Sequence, residues 1–309
     1  MKNWISWGVK IREFPDYNYK AVWHNLKTIR LGKGVAKELP PNEAEFYDVG
    51  INTKCNAMCD FCYVSANKEG INYPDICETW KKWMNTFWEK QEIKGGFTYT
   101  NKPFQIAIGS TGEPTIHPDF CQFLETVYNT GVVPNYTTNG LIFARNNIKS
   151  GEILAYTKEY VGGVAVSLGN PEIRSEANRA IQKLLSWGDT NVNIHHIISD
   201  KKSVDEFFET CVRYGKDIYY HVLLPLMPSG RSTKGIEPGV FEYLEEIIQK
   251  YDIKNAAFGA RFVEYLKTSK IKTYLYPPES LSKNIILTKD KVQITPSSFN
   301  LKPISVIDL

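Results

Sequence analysis

The stretch FYDVGINTKCNAMCDFCYV, residues 46–64, runs an apolar segment directly into a loop that carries three cysteines. Its first part, FYDVGINT (46–53), has the aromatic and β-branched character of a strand. Cys55, Cys59 and Cys62 follow, separated by three and then two residues. Cysteine oxidises readily and offers little as a loop residue, so this cluster reads as a ligand set before it reads as packing. A strand that ends in a ligand loop also says where to look for other functional groups, because α/β folds collect them at the carboxyl ends of their strands.

The alternation continues outward from this strand. From Asp75, a candidate N-cap, the residues Ile76, Trp80, Trp83, Met84, Phe87 and Trp88 recur at helical spacing. FQIAIG (104–109) predicts a buried strand, and Phe120, Phe123, Leu124, Val127 and Tyr128 the face of the next helix. The strands VVPNYTT, GVAVSL, VNIHHII and IYYHVLLPL are each followed by helical spacing, near 147–160, 173–187, 203–214 and 238–251. Six βα units at intervals of roughly thirty residues are right-handed parallel crossovers. The fold class expected is α/β, a partial (β/α)6 TIM-type barrel with an open side; a doubly wound open sheet is the alternative. In either case STGEPT (110–115), TTNG (137–140) and SLGN (167–170) close strands and converge with the cysteine loop on one rim. The domain reading is an N-terminal extension (1–45), the core (46–252) and a C-terminal extension (253–309).

A chain of 309 residues with 42% hydrophobic content can bury a sizeable core, which argues against intrinsic disorder. Its net charge of +3 gives no electrostatic case for nucleic acid or a membrane surface. The first forty residues are more basic, with Lys2, Lys10, Arg12, Lys20, Lys27, Arg30, Lys33 and Lys37 among Trp4, Trp7 and Trp23. Such an arm reads either as a grip on an anionic partner or as a solvated face with its aromatics tucked onto the main body. No run approaches the ~20 apolar residues of a membrane span, and the first residues lack an apolar signal region. The expected location is the cytoplasm, where disulfides are disfavoured and grouped cysteines bind metal or react.

The cysteine spacing narrows the choice of metal. A structural zinc site takes four closed ligands, usually as two separated pairs. Cys77, Cys121 and Cys211 fall in predicted helices as small core residues, Cys211 beside Val204, Phe207, Phe208 and Val212. The histidines His24, His117, His195, His196 and His221 are scattered. Three thiolates instead suit a 4Fe-4S cluster with one iron left open.

CNAMCDFC resembles the CxxxCxxC loop of radical S-adenosylmethionine (SAM) enzymes, including the aromatic Phe61 before the last cysteine. GSTGEPTIHPDF is similar to that family's glycine-glycine-glutamate motif, with Thr111 in place of the first glycine. The resemblance spans roughly residues 45 to 230. It implies one 4Fe-4S cluster on Cys55, Cys59 and Cys62, with SAM chelating the fourth iron. By the same resemblance Phe61 lies beside the adenine, and Glu113 with the backbone of Thr111 and Gly112 accepts from the SAM amino group. Ser167 and Asn170 correspond to polar contacts with the ribose or carboxylate, although Asn170 also suits a turn. PLMPSGR (225–231) is similar to sequences of the peptide- and protein-modifying subgroup, and its Arg231 is a candidate partner for a carboxylate. Of His195 and His196, on opposite sides of one strand, one can face the interior as a substrate or SAM contact.

The activity implied is reductive SAM cleavage to a 5'-deoxyadenosyl radical that takes hydrogen from a peptide, a protein side chain or a related small substrate. An external electron donor such as flavodoxin or ferredoxin is implied with it. ESLSKNIILTKDKVQITPSSFN (279–300) is similar to the hairpin that carries auxiliary clusters in that subgroup, but the chain has no cysteine after Cys211. Two other readings stay open: an activating enzyme that installs a glycyl radical on a partner, and a non-catalytic iron-sulfur or zinc protein.

Overall fold

The computed structural model describes residues 2–6, 8–14, 19–24, 27–32, 46–92, 95–188, 191–262, 265, 269, 274–275, 282–295 and 305–309. In chain order, four antiparallel strands come first: β1 (Lys2–Ser6), β2 (Val9–Phe14), β3 (Tyr19–His24) and β4 (Lys27–Gly32). Then follow β5 (Phe46–Gly50), α1 (Ile76–Met84), the hairpin β6 (Glu89–Glu92) and β7 (Phe97–Thr100), and β8 (Gln105–Ile108). Regular alternation takes over with α2 (Phe120–Asn129), β9 (Val133–Thr138), α3 (Ile148–Tyr160), β10 (Gly163–Ser167), α4 (Arg174–Trp187), β11 (Asn191–Ile198), α5 (Lys201–Tyr214), β12 (Tyr220–Pro225) and α6 (Val240–Lys250). The chain finishes with β13 (Ala256–Phe258), β14 (Tyr274–Leu275), β15 (Ser282–Thr288), β16 (Lys291–Thr295) and β17 (Ser305–Asp308).

The large sheet has the order β14-β13-β12-β11-β10-β9-β8-β5-β15-β16-β17 and is parallel from β14 through β15. Its helices lie on one face. Tyr47, Val49, Ile106, Ile108, Tyr136, Val164, Val166, Val192 and Ile194 all point into one buried cluster with Trp80, Trp83, Phe120, Phe123 and Ile181 of the helices. The opposite face stays partly open, as the strict alternation of partly exposed and buried residues along β11 shows. Helices confined to one side make this a partial barrel and not a doubly wound sheet.

Local chemistry explains the helix starts. The Asn147 side chain accepts from Ser150 N at 2.8 Å to cap α3, and Asp200 with Ser203 forms a reciprocal capping box on α5. Asp75 precedes α1 but sits at φ 55° without a side-chain cap bond, so it turns the chain and does not cap it. Trp88 and Tyr128, read as core-facing, are about half exposed. Val212 is exposed as well, whereas Cys211 packs on the α5/α6 cluster and Cys77 and Cys121 on the main one.

The N-terminal segment is not a solvated arm. Its strands join the 89–100 hairpin in a sheet ordered β4-β3-β2-β1-β7-β6. Arg12 is fully buried, donates to Lys102 O at 2.7 Å and lies over the Phe104 ring, while Lys10 reaches Gly131 O. Residues 102–104 and 131 immediately precede β8 and β9, so this sheet docks at the amino-terminal end of the barrel, away from the cysteine rim. At the other flank, β15 pairs in parallel with β5 and places Ile285 and Leu287 in the main core.

Candidate cluster site at the barrel rim

The cysteine loop is stapled shut at its base. Thr53 N donates to Ile71 O at 2.9 Å, Cys55 N to Asn67 O at 2.8 Å and Tyr73 N to Ile51 O at 3.0 Å. Inside this frame Cys62 N and Ser65 N bond back to Cys59 O and Cys62 O, and Met58 and Ser65 adopt positive φ. The three thiols are half-buried and share one electrostatic environment. Burial pushes Cys59 up to about 11 and Cys55 upward as well, and the neighbouring thiols add to both shifts.

Four other rim loops hold this one. After β8, Glu113 N donates to Lys54 O at 2.9 Å, the Asn52 amide to Glu113 O at 2.8 Å, and the Thr111 hydroxyl to Asn52 O at 2.5 Å. A Cβ at Gly112 would collide with Asn52 and with Lys54 O, so glycine lets this strap lie against the loop base. Thr111, which replaces a glycine of the expected motif, fits because Gly50 opposite it has no side chain. After β9, the Asn139 amide donates to Asn56 Oδ1 at 2.8 Å and approaches Cys55 Sγ at 3.9 Å. After β10, the Asn170 amide reaches Ala57 O at 3.2 Å and Cys59 Sγ at 3.3 Å, and its oxygen accepts from Glu172 N.

The loop after β12 completes the clamp. Arg231 donates from Nε to Cys59 O at 2.7 Å, from a terminal nitrogen to Ala66 O at 2.9 Å and from its backbone to Cys62 O at 3.0 Å. Gly230, at φ 63°, lies against the Cys62 and Tyr63 backbone, where a Cβ has no room. Arg231 is therefore committed to loop carbonyls, and the expectation that it meets a carboxylate gives way to this role.

Glu113 starts the turn after the strap. Its carboxylate is buried and accepts from Thr115 N and Oγ1, Thr138 Oγ1 and Asn139 N, at 2.6–3.2 Å. It ties the β8 and β9 loops together. Phe61 packs over Gly169 and Ile197, and Ser167 ends β10 partly exposed beside them. His195 lies on the same inner face of β11 as Ile197. His196 turns to the helices, shares a 3.1 Å hydrogen bond with His221 and is a core residue.

Sequence reasoning found the cysteines and the strap but not the roles of Asn139, Asn52 and the Ser229–Arg231 clamp. The TTNG and PLMPSGR stretches carried the signal without fixing a partner. Among the described residues no three His, Cys, Asp or Glu side chains are drawn together tightly enough to grip a metal ion as placed. The donor chemistry nonetheless fits a cluster held by three thiolates: three soft ligands on one loop, amide donors at two of the sulfurs, and no carboxylate or imidazole among them.

No protein-family model matches the chain. Two curated relatives, the mycofactocin maturase MftC of two Mycobacterium tuberculosis strains, are 31% identical over 164 residues, covering 48% of this chain and 39% of each relative. Among solved structures, Streptococcus suis SuiB bound to S-adenosylmethionine superposes with TM-score 0.56 at 13% identity, over 82% of this chain and 60% of SuiB. SuiB bound to its precursor peptide SuiA gives 0.59 at 17% identity, over 84% and 60%. The shared feature is the partial-barrel fold, and the chain spans 39% of the length of MftC and 60% of that of SuiB. Among the described residues, no helix is long and apolar enough to cross a membrane.

Proposed function

We propose that this chain is a radical SAM enzyme that holds one 4Fe-4S cluster on Cys55, Cys59 and Cys62 and acts on a peptide, a protein side chain or a related small substrate. The observation that carries the reading is the three-thiol loop at the carboxyl mouth of a partial parallel barrel, bonded at its base to the Thr111–Glu113 strap. The similarity to MftC and the fold shared with SuiB support the class and the choice of a peptide-like substrate. When bound, a reduced cluster with SAM at its open iron supplies a 5'-deoxyadenosyl radical able to remove hydrogen from a carbon centre.

The protein's own contribution is positional. Asn139 and Asn170 direct amide donors toward Cys55 and Cys59, which favours the thiolate state at each sulfur. Arg231 fixes the loop carbonyls from the opposite side. Phe61, Gly169 and Ile197 form an apolar corner fit for a nucleobase face. Ser167 offers a hydroxyl to a sugar or carboxylate there, and the backbone of Thr111 and Gly112 lines the rim beside the cluster loop. Glu113 contributes by holding that strap in register.

Anaerobic reconstitution tests the reading. Wild-type protein should bind about four irons per chain, since its other cysteines lie on separate helices, and should form 5'-deoxyadenosine from SAM with a strong reductant. Changing all three loop cysteines to Ala should abolish both. A triple variant that still bound a cluster and cleaved SAM would overturn the assignment, and about eight irons per chain would overturn the single cluster.

A further inference from the structure

The inner face of the barrel is polar and partly open. On β5, Tyr47 and Val49 point to the helices, so Asp48 between them points inward, and in β15 its register partner Asn284 shares that face. Asn135, Asn193 and His195 extend the same lining across β9 and β11. Ala107 beside Asp48 and Ala165 beside Asn193 are small side chains.

Two acceptors therefore stand side by side, and among the described residues neither meets a donor. The Asn284 amide oxygen is fully buried with no hydrogen-bond partner. Among the described residues, no cation or hydrogen-bond donor engages the Asp48 carboxylate either, and burial alone moves its pKa, to about 7. Leaving the Asn284 oxygen unanswered costs stability, because a buried acceptor that has lost water forfeits its solvation, while Asp48 beside it is only half-buried and can still be reached. A core built only for folding would place an apolar pair at these two positions. A neutral hydrogen-bond donor would satisfy Asn284 alone, whereas a group with several N–H bonds and a positive charge answers both.

We propose that Asp48 and Asn284 form a recognition pair for an amine- or guanidinium-bearing group that enters the lumen from the cysteine rim. The proposal names a substrate feature and so rests on the radical function assigned above. Asp48 is then a specificity-determining residue.

The test uses the full chain and four probes of similar length: N-acetyl-lysine amide and N-acetyl-arginine amide against N-acetyl-norleucine amide and N-acetyl-glutamine amide. Saturation-transfer NMR and calorimetric titration should show the basic pair binding at least tenfold tighter to the wild type. Asp48→Asn should erase that preference, and Asn284→Ala should reduce it severalfold, with melting curves checking the fold of each variant. Equal binding of basic and neutral probes to the wild type overturns the pair, even where a variant fails to fold. A preference that survives Asp48→Asn in a folded protein also overturns it. 5'-Deoxyadenosine formation by the wild type is read separately, so that failure of the radical function is distinguished from failure of the pair.

Discussion

At Glu113 the donors Thr115 N, Thr115 Oγ1, Thr138 Oγ1 and Asn139 N converge on one buried carboxylate. Burial raises its pKa and these hydrogen bonds pull it back, so the group is held by geometry as much as by charge. Glu113→Gln keeps the shape but turns an amide donor toward at least one N–H or O–H. The expected cost is ~1.5–3 kcal/mol of stability, read as a lower denaturant midpoint with an unchanged slope. An unaltered midpoint would show that the carboxylate does not hold the two loops. The identities of Cys55, Cys59, Cys62 and the glycine-glutamate strap were legible in the sequence because the spacing of soft ligands is itself a chemical statement. The direction of the Glu113 side chain was not legible, since it depends on Thr138 and Asn139, a whole βα unit further along the chain.

Among the elements, the six βα units were readable because each strand carries its own apolar pattern and each helix its own face. Apart from the hairpin read in residues 279–300, the additional strands were hidden. AAF at β13 and YL at β14 are too short for a pattern, and β15 gives no sign that it will lie beside β5 more than two hundred residues earlier. The N-terminal sheet was missed for a related reason: it is completed by the 89–100 hairpin, whose exposed EKQE strand reads as loop. The clamp after β12 yields a prediction at this scale. Gly230→Ala asks a residue with a Cβ to hold φ 63° against the Cys62 carbonyl, which costs on the order of 1–3 kcal/mol of local strain. The barrel strands do not depend on that contact. Circular dichroism should therefore be unchanged, while a chelator should strip iron from the reconstituted variant faster than from the wild type. Equal iron loss in the two proteins would show that the clamp does not secure the loop.

Across the whole molecule, buried imidazoles and the Asp48 carboxylate set opposing pH responses. Burial lowers His195 and His221 to about 4, and holds His196 well below the ordinary histidine value. Between about pH 4 and 6.5 the unfolded chain binds three protons there that the native state refuses, so these groups make stability fall as pH drops. Asp48 acts in the opposite sense. Its native pKa of about 7 exceeds the unfolded 3.8, so in the same window the native state takes up one proton that the unfolded chain leaves off. His117, lowered by burial, and Glu113, raised by it, pull against each other in the same way. The net difference is about two protons, and each contributes about 1.4 kcal/mol per pH unit, giving an upper limit near ~3 kcal/mol per unit. Denaturant midpoints measured from pH 7.5 to 5 should fall steadily, and Asp48→Asn should steepen the fall by removing the opposing proton. A midpoint flat across that range would mean that the three histidines are protonated in the native fold, and with it the neutral His196–His221 pair would have to be abandoned.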